Sequence, residues 1–372
     1  MNNFFKSFSE IKKFNKISID YKKIVFFSEN NNYSYFFKSI IDRLVLEGIK
    51  ITFVTADQND FFLKYKNPNF KIVCISNFFL LQYFFSNLKC KNLILTMPDL
   101  GTGILNRSPF CEKYIYIFHS LISTNVAYKE KSFINYDIFF SPSTIHTSEL
   151  QIKFKNSNKK ILETGYPKIE ELKKELINIK QLDNILIAPT WGSDSSLYSN
   201  KLTDIIQQLI KKKYHIIFRP HPMSFKKDQK KIKEILSKFK WYKKFELNDD
   251  KDNNKVILSA KVLITDWSGS AMEFSITKEK PSLFIDTQQR VRNSSIKKND
   301  KILEKTFEYI CRNKLGVILD DENIFKIEKI LEDFYENENF YRKKILDFKK
   351  KFLYNYENSL DITISNITKL IN

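Results

Sequence analysis

Glycine is scarce in this chain of 372 residues, at seven, and histidine and cysteine number only four each. So little glycine argues against a disordered or low-complexity polypeptide. The cysteines, Cys74, Cys90, Cys111 and Cys311, are scattered without metal-ligand spacing, so they read as reduced, buried thiols of a cytoplasmic protein. No apolar run is long enough to span a bilayer. The best, around Phe78 to Phe85, is broken by Gln82 and closed by Ser86 and Asn87. The amino terminus lacks a signal-peptide core and cleavage pattern, no internal sequence repeat stands out, and no RNA-binding motif is present.

What is there suffices for two domains. Apolar residues make up 42% of the chain, and its length exceeds one ordinary core. The net charge is +19, from 62 basic and 43 acidic residues, which attracts anionic partners without selecting among them. Residues 1–18 read as a basic amphipathic helix: Phe4, Phe8, Ile11 and Phe14 share one face, and Lys6, Lys13 and Lys16 the other. Such a helix either lies on an anionic membrane surface or packs on its own domain. From Lys22 onward, apolar strand runs alternate with helical patterns, the signature of parallel sheets covered on both faces. The expected architecture is α/β, with two doubly wound parallel-sheet domains facing a cleft and helices at the carboxyl end. Residues 19–165 form the acceptor-side domain, 166–320 the donor-nucleotide domain, and 321–372 the closing helices.

Three strand-like runs in the second half end in residues suited to a phosphate. They are Asn184 to Gly192, carrying Thr190 and Trp191; His215 to Pro222, carrying Arg219 and His221; and Val262 to Ser270, carrying Asp266, Ser268, Gly269 and Ser270. Ligands of open parallel sheets bind beyond the carboxyl ends of the strands. There Arg219 offers a planar fork of donors and His221 a donor that can be cationic, and the two prolines restrict both backbones. The helix predicted after Asp266 would add free N–H groups and a partial positive charge. Each charged hydrogen bond to a phosphate contributes about 1.5–3 kcal/mol. The alternative for Arg219 is a strand-terminating turn, and for Ser268 simple capping. Asp266 orients neighbouring donors or binds a metal, and the first is favoured because no second acid lies in the motif. Glu273, placed on the first helical turn, accepts from ribose hydroxyls or offsets the helix dipole.

In the first half, His119 stands where the strand from Tyr114 gives way to a loop, with Ser120 beside it, a place suited to a general base. Asp99, Gly101 and Gly103 spend two scarce glycines on a loop that shapes the acceptor side or merely turns, and Glu29 ends the first strand similarly. His146 and His215 are assigned no catalytic role.

Taken in order, His119, Thr164-Gly165-Tyr166-Pro167, Ala188-Pro189-Thr190-Trp191, Arg219-Pro220-His221-Pro222 and Thr265-Asp266-Trp267-Ser268-Gly269 followed by Lys280-Pro281 resemble the CDP-glycerol:poly(glycerophosphate) glycerophosphotransferases, over residues 110–290. These build teichoic-acid-like and capsular polymers. The resemblance implies a GT-B fold, a CDP-activated polyol phosphate donor, two functional histidines at His119 and His221, and phosphate binding by Asp266 to Ser270. Departures are Phe118-His119-Ser120-Leu121, where many members have Trp-His-Gly-Thr, and Asp266-Trp267-Ser268-Gly269 for Asp-Tyr-Ser-Ser. The expected activity is transfer of glycerol phosphate, or a related polyol phosphate, from a CDP donor to a lipid-linked or polysaccharide acceptor, on the inner face of the cytoplasmic membrane. No cofactor is assigned, a divalent cation stays open, and no nucleic acid is expected. The rivals are a nucleotide-sugar-dependent glycosyltransferase of the same architecture, an RNA-binding protein, and a catalytically dead binding module.

Overall fold

The protein was analysed as a computed structural model, which describes residues 2–192, 197–198, 200–249, 253–297 and 300–371. The chain divides into two units. The first comprises Met1–Ser120, Tyr128–Glu170 and Leu353–Asn372; the second comprises Leu121–Ala127 and Glu171–Phe352.

The first unit is built on seven parallel strands: β1 (Ile24–Ser28), β2 (Ile51–Thr55), β3 (Phe70–Cys74), β4 (Cys90–Leu95), β5 (Cys111–Ile117), β6 (Ile138–Ser141) and β7 (Lys160–Glu163). Their order is β3-β2-β1-β4-β5-β6-β7. The second has six: β8 (Asn184–Ile187), β9 (His215–Phe218), β10 (Phe245–Leu247), β11 (Val262–Thr265), β12 (Ser282–Ile285) and β13 (Gly316–Leu319), in the order β10-β9-β8-β11-β12-β13. Every named pairing is parallel. Each sheet runs outward from its first strand in one direction and then reverses, the doubly wound order. The reversal falls between β1 and β4 in one unit and between β8 and β11 in the other.

The local sequence explains this arrangement. Runs such as Ile24-Val25-Phe26-Phe27 and Val262-Leu263-Ile264 are buried along their whole length, as β-branched and aromatic strands covered on both faces must be. In the first unit, Phe26, Phe53 and Ile115 pack with Phe37, Ile40 and Leu44; in the second, Ile187, Phe218 and Leu283 pack with Leu202, Ile205 and Leu331. Two strands were not anticipated. β7 lies at the point read as a domain end, and β10 is three residues long at an edge.

The amino-terminal helix takes the packed alternative, and the closing helices differ from expectation in where they pack. The helix Asn2–Lys16 is no separate unit, because Ile11 and Phe14 are buried and Phe14 meets Phe84 edge-on at 4.9 Å. Phe4, Phe5 and Phe8 remain exposed. The closing helices do not form one piece either. Glu338–Phe352 stays with the second unit, whereas Ser359–Lys369 returns to the first and adds Leu360, Ile364 and Ile367 to its core.

That return requires Gly165. Its φ is +85°, and a Cβ there would lie 2.4 Å from the Tyr354 carbonyl oxygen and 2.7 Å from the Ser359 Cβ. Gly165→Ala should therefore destabilise the protein by about 1–3 kcal/mol, from backbone strain and the displaced carboxyl-terminal segment. Gly103→Ala, with open space around it, should stay within about 0.5 kcal/mol of the native protein. Denaturant midpoints of the two variants check this; equal shifts would refute it.

Candidate active site

In the second unit the strand ends singled out by sequence are adjacent, because β9, β8 and β11 are neighbours and the sheet reverses between β8 and β11. Asp266 ties two of these ends together. Its side chain is fully buried, and its carboxylate accepts the backbone N–H groups of Thr190 at 2.9 Å, Leu197 at 2.8 Å and Trp267 at 2.7 Å. Burial raises its pKa, and these bonds oppose the rise by favouring the anion. Asp266 is thus turned to the backbone, where it holds the loops after β8 and β11 together. A solvent-facing carboxylate there would repel an anion.

The helix Gly269–Lys278 begins directly after β11. Ser268 is its N-cap, accepting the Ser270 N–H, while its hydroxyl donates to Ser270 Oγ at 3.1 Å. Ser268, Gly269 and Ser270 remain partly exposed at the first turn. Glu273 falls in the second turn, so the dipole-offsetting place expected for it is wrong.

Arg219 follows β9 and is buried, with Nε donating to Asn248 Oδ1 at 3.1 Å. His221 is half-buried, and its Nδ1 accepts the Met223 N–H at 3.1 Å. This bond fixes the tautomer: in the neutral ring the proton sits on Nε2, leaving one N–H to offer. Burial, then the charges of Arg219 and Arg290, hold the His221 pKa down at about 4. Trp191 lies 6.3 Å from the His221 ring, centroid to centroid.

In the first unit, Glu29, Asp99 and His119 follow β1, β4 and β5, which are adjacent. His119 is walled by Tyr33, with ring centroids 5.1 Å apart, Phe36 at 6.0 Å and Tyr128 at 6.5 Å, and the Tyr116 hydroxyl lies 3.4 Å from its Nδ1. Burial lowers its pKa to about 4; a hydrogen bond to the Thr96 backbone opposes this, and the Lys168 cation adds to it. Glu29 reaches solvent, yet the protein mass around it and then the charge of Asp99 raise its carboxyl above the usual range. Asp99 accepts the Ser132 hydroxyl. Gly101, at φ +73°, lies where a Cβ would strike Asn135 Nδ2, the group that donates to Leu100 O at 2.8 Å. Asp99 and Gly101 therefore have defined parts in shaping the loop, whereas Gly103 and Ser120 make no close contact of that kind. His146 is buried on Ser143, and His215 pairs with Glu246, both structural arrangements. Among the described residues no group of three or more His, Cys, Asp or Glu side chains is placed to hold a metal ion.

The profile of the CDP-Glycerol:Poly(glycerophosphate) glycerophosphotransferase family matches residues 8–359, nearly the whole chain. The chain belongs to this family. It is similar to the teichoic acid glycerol-phosphate transferase of Staphylococcus aureus (strain NCTC 8325 / PS 47), with 27% identity over 171 residues, covering 40% of this chain and 41% of that relative. The matched part is thus about two-fifths of that relative's length. Among solved structures, the wall teichoic acid polymerase TagF is similar at 20% identity and a TM-score of 0.61, covering 100% of this chain and 98% of that one. The UDP-GlcNAc 2-epimerase of Methanocaldococcus jannaschii is similar at 13% identity and a TM-score of 0.55, covering 93% of this chain and 99% of that one. At these identities the likeness is one of fold, the two-sheet α/β architecture that the sequence implied.

Sequence reasoning missed several neighbours of the site. Tyr33, Phe36, Tyr128 and Lys168 surround His119, and Arg290 and Lys227 surround Trp191. Only Lys168 had a signal, standing directly after the Gly165-Tyr166-Pro167 turn.

Both histidines should titrate far below an exposed imidazole, near 4 rather than about 6.5. In the folded state they bind fewer protons than in the unfolded chain, so they withdraw stability as pH falls from about 6.5 to about 4 and nothing more beneath that. NMR titration of the ligand-free protein checks this, and midpoints near 6.5 would sink it.

Proposed function

We propose that the chain transfers glycerol phosphate, or a related polyol phosphate, from a CDP-activated donor to a surface-polymer acceptor and releases CMP. One observation carries the reading beyond family membership. Arg219 and His221 follow β9 and the helix Gly269–Lys278 follows β11, the strands on either side of β8, and the sheet reverses between β8 and β11, a favoured place for a nucleotide diphosphate.

In this mechanism His119, neutral at physiological pH, takes the proton of the acceptor hydroxyl. The freed oxygen bonds to the β-phosphorus of the donor while the bond from that phosphorus to the bridging oxygen breaks, and CMP leaves with the electron pair. Arg219, the Nε2–H of His221, and the N–H groups and hydroxyls of Ser268, Gly269 and Ser270 hold the phosphates and stabilise the developing charge. Thr190, tied to Asp266, fixes the floor of the nucleotide pocket. His119 belongs to the first unit and His221 to the second. His221 supplies a hydrogen-bond donor and has no need to accept a proton.

The acceptor is proposed to be lipid-linked or part of a growing polymer, met at an anionic membrane surface. Support comes from exposed Phe4, Phe5 and Phe8 on a helix that also carries Lys6, Lys12, Lys13 and Lys16, and from exposed Phe78 and Phe79. Ser76 Oγ to Asn3 Oδ1 at 2.7 Å and Asn77 N to Ser7 Oγ at 3.1 Å hold these last two against the same helix. Among the described residues no helix is long and apolar enough to cross a membrane. Removing residues 1–18 would also remove buried Ile11 and Phe14, so the cleaner change is Phe4→Ser with Phe5→Ser and Phe8→Ser. This variant should lose sedimentation with phosphatidylglycerol vesicles while keeping CMP release from a soluble donor, and added salt should weaken the native attachment. Equal sedimentation of variant and native protein would end the membrane reading.

The transfer itself is tested by labelled CDP-glycerol and by separating the two histidines. His119→Ala should keep near-native donor affinity, lose transfer by on the order of 100-fold or more, and recover in part at high pH. His221→Ala should weaken donor binding and slow transfer together. Donor binding lost in His119→Ala but intact in His221→Ala would reverse the assignment, and label appearing only from a nucleotide sugar would replace the donor.

A further inference from the structure

Arg290 lies in the loop after β12, in no motif, and the structure brings it to the strand ends of the second unit. Its guanidinium stacks on the Trp191 indole, 3.5 Å from Cζ to the ring centroid, and Nη1 donates to the Trp191 carbonyl at 3.2 Å. The loop that carries it is fastened on both sides. Trp267 Nε1 donates to Thr287 O at 2.8 Å, next to Asp266, and Arg292 N donates to Val126 O at 2.9 Å. Lys227 Nζ lies 4.9 Å from the same indole.

Trp191 is therefore flanked by two cations, and His221 and Arg219 stand close enough that Arg290 and Arg219 both act on the imidazole. The acid in this group, Asp228, is buried and accepts the Gly192 N–H at 3.1 Å. Among the described residues no carboxylate lies within ion-pair distance of Arg290. A half-buried guanidinium with N–H donors to spare, gathered with like charges, raises the energy of the empty site and lowers that of one holding an anion. Loop packing alone does not require a cation on that face of the indole.

We propose that Arg290 is a second cationic ligand of the donor's diphosphate, beside Arg219 and the neutral His221, carried to the strand ends on the indole of Trp191. The inference rests on the donor reading above and adds a residue to it. The indole of Trp191 then serves as the support of the guanidinium.

The test compares CDP, CMP and cytidine binding by calorimetry in the native protein, Arg290→Gln and Arg290→Lys. Arg290→Gln should bind CDP on the order of 10- to 100-fold more weakly, with cytidine unchanged. Arg290→Lys, which keeps the charge but not the fork, should fall between. The His221 titration midpoint should rise in Arg290→Gln, because a repelling charge is gone. A role confined to packing predicts equal losses for CDP and cytidine with a lower Tm, and that result overturns the proposal, as does native CDP affinity in Arg290→Gln. Should Arg290→Gln fail to fold, a native phosphate preference in Arg290→Lys serves as the overturning result. Because the readout is binding, a native protein that binds CDP yet never releases CMP from CDP-glycerol would refute the transferase reading and leave Arg290 standing. One that binds neither CDP nor UDP overturns both.

Discussion

The strand ends of the second unit depend on one buried carboxylate. Asp266 has no solvent, and an isolated charge in such a place costs several kcal/mol. Three backbone N–H groups offset that cost, from Thr190, Leu197 and Trp267. The bonds are made only when the loops after β8 and β11 adopt one geometry, so the charge specifies the loops as much as the loops stabilise the charge. The constraint spreads outward through Trp267. Its indole donates to Thr287 O and carries the guanidinium of Arg312, 3.8 Å from the ring centroid, and Arg312 is buried and bonds Ile285 O and Asp286. The ends of β8, β11 and β12 are thereby locked together before any ligand arrives, which is the preorganisation an anion site needs.

The histidine electrostatics follow from burial rather than from a special partner. Each imidazole is desolvated, and each lies near a cation that disfavours a second positive charge, Lys168 for His119 and the two arginines for His221. In the proposed role of His119 as base, neutrality is the useful state, and a pKa near 4 makes it a weak base that relies on positioning. For His221, a dianion bound among the arginines favours the imidazolium, and by linkage a protonated His221 favours the dianion.

The motifs and most strands were legible because they are local. A strand followed at once by Arg-Pro-His-Pro or Asp-Trp-Ser-Gly announces both the element and the chemistry at its end, and hydrophobic runs buried on both faces gave the parallel sheets. The illegible features depend on distance along the chain. β7 and β10 carry few buried side chains, so their composition resembles a loop. The return of Ser359–Lys369 to the first unit is encoded in Gly165, Glu170 and the apolar face of the helix, almost two hundred residues apart. Glu170 accepts the Leu360 N–H at 2.9 Å. Arg290 and Lys168 have no motif because only tertiary packing sets an arginine on a particular tryptophan. For Asp266 the sequence alone leaves two roles open, because a carboxylate within such a motif has the same sequence whether it faces a ligand or the backbone.

The two sheets share one winding order, yet their strand ends are chemically unlike. Beyond β1, β4 and β5 stand Glu29, Asp99 and an imidazole walled by aromatic rings; beyond β9, β11 and β12 stand Arg219, His221, a helix terminus capped by Ser268, and Arg290. A diphosphate would meet two carboxylates in the first environment and cations in the second, which supports the proposal that the donor binds the second unit. Tyr33, Phe36 and Tyr128 lower the polarity beside the His119 imidazole, which stays partly exposed. One fold used twice thus yields two sites of opposite character, because the side chains just past the strands, which the sheet does not constrain, determine the chemistry.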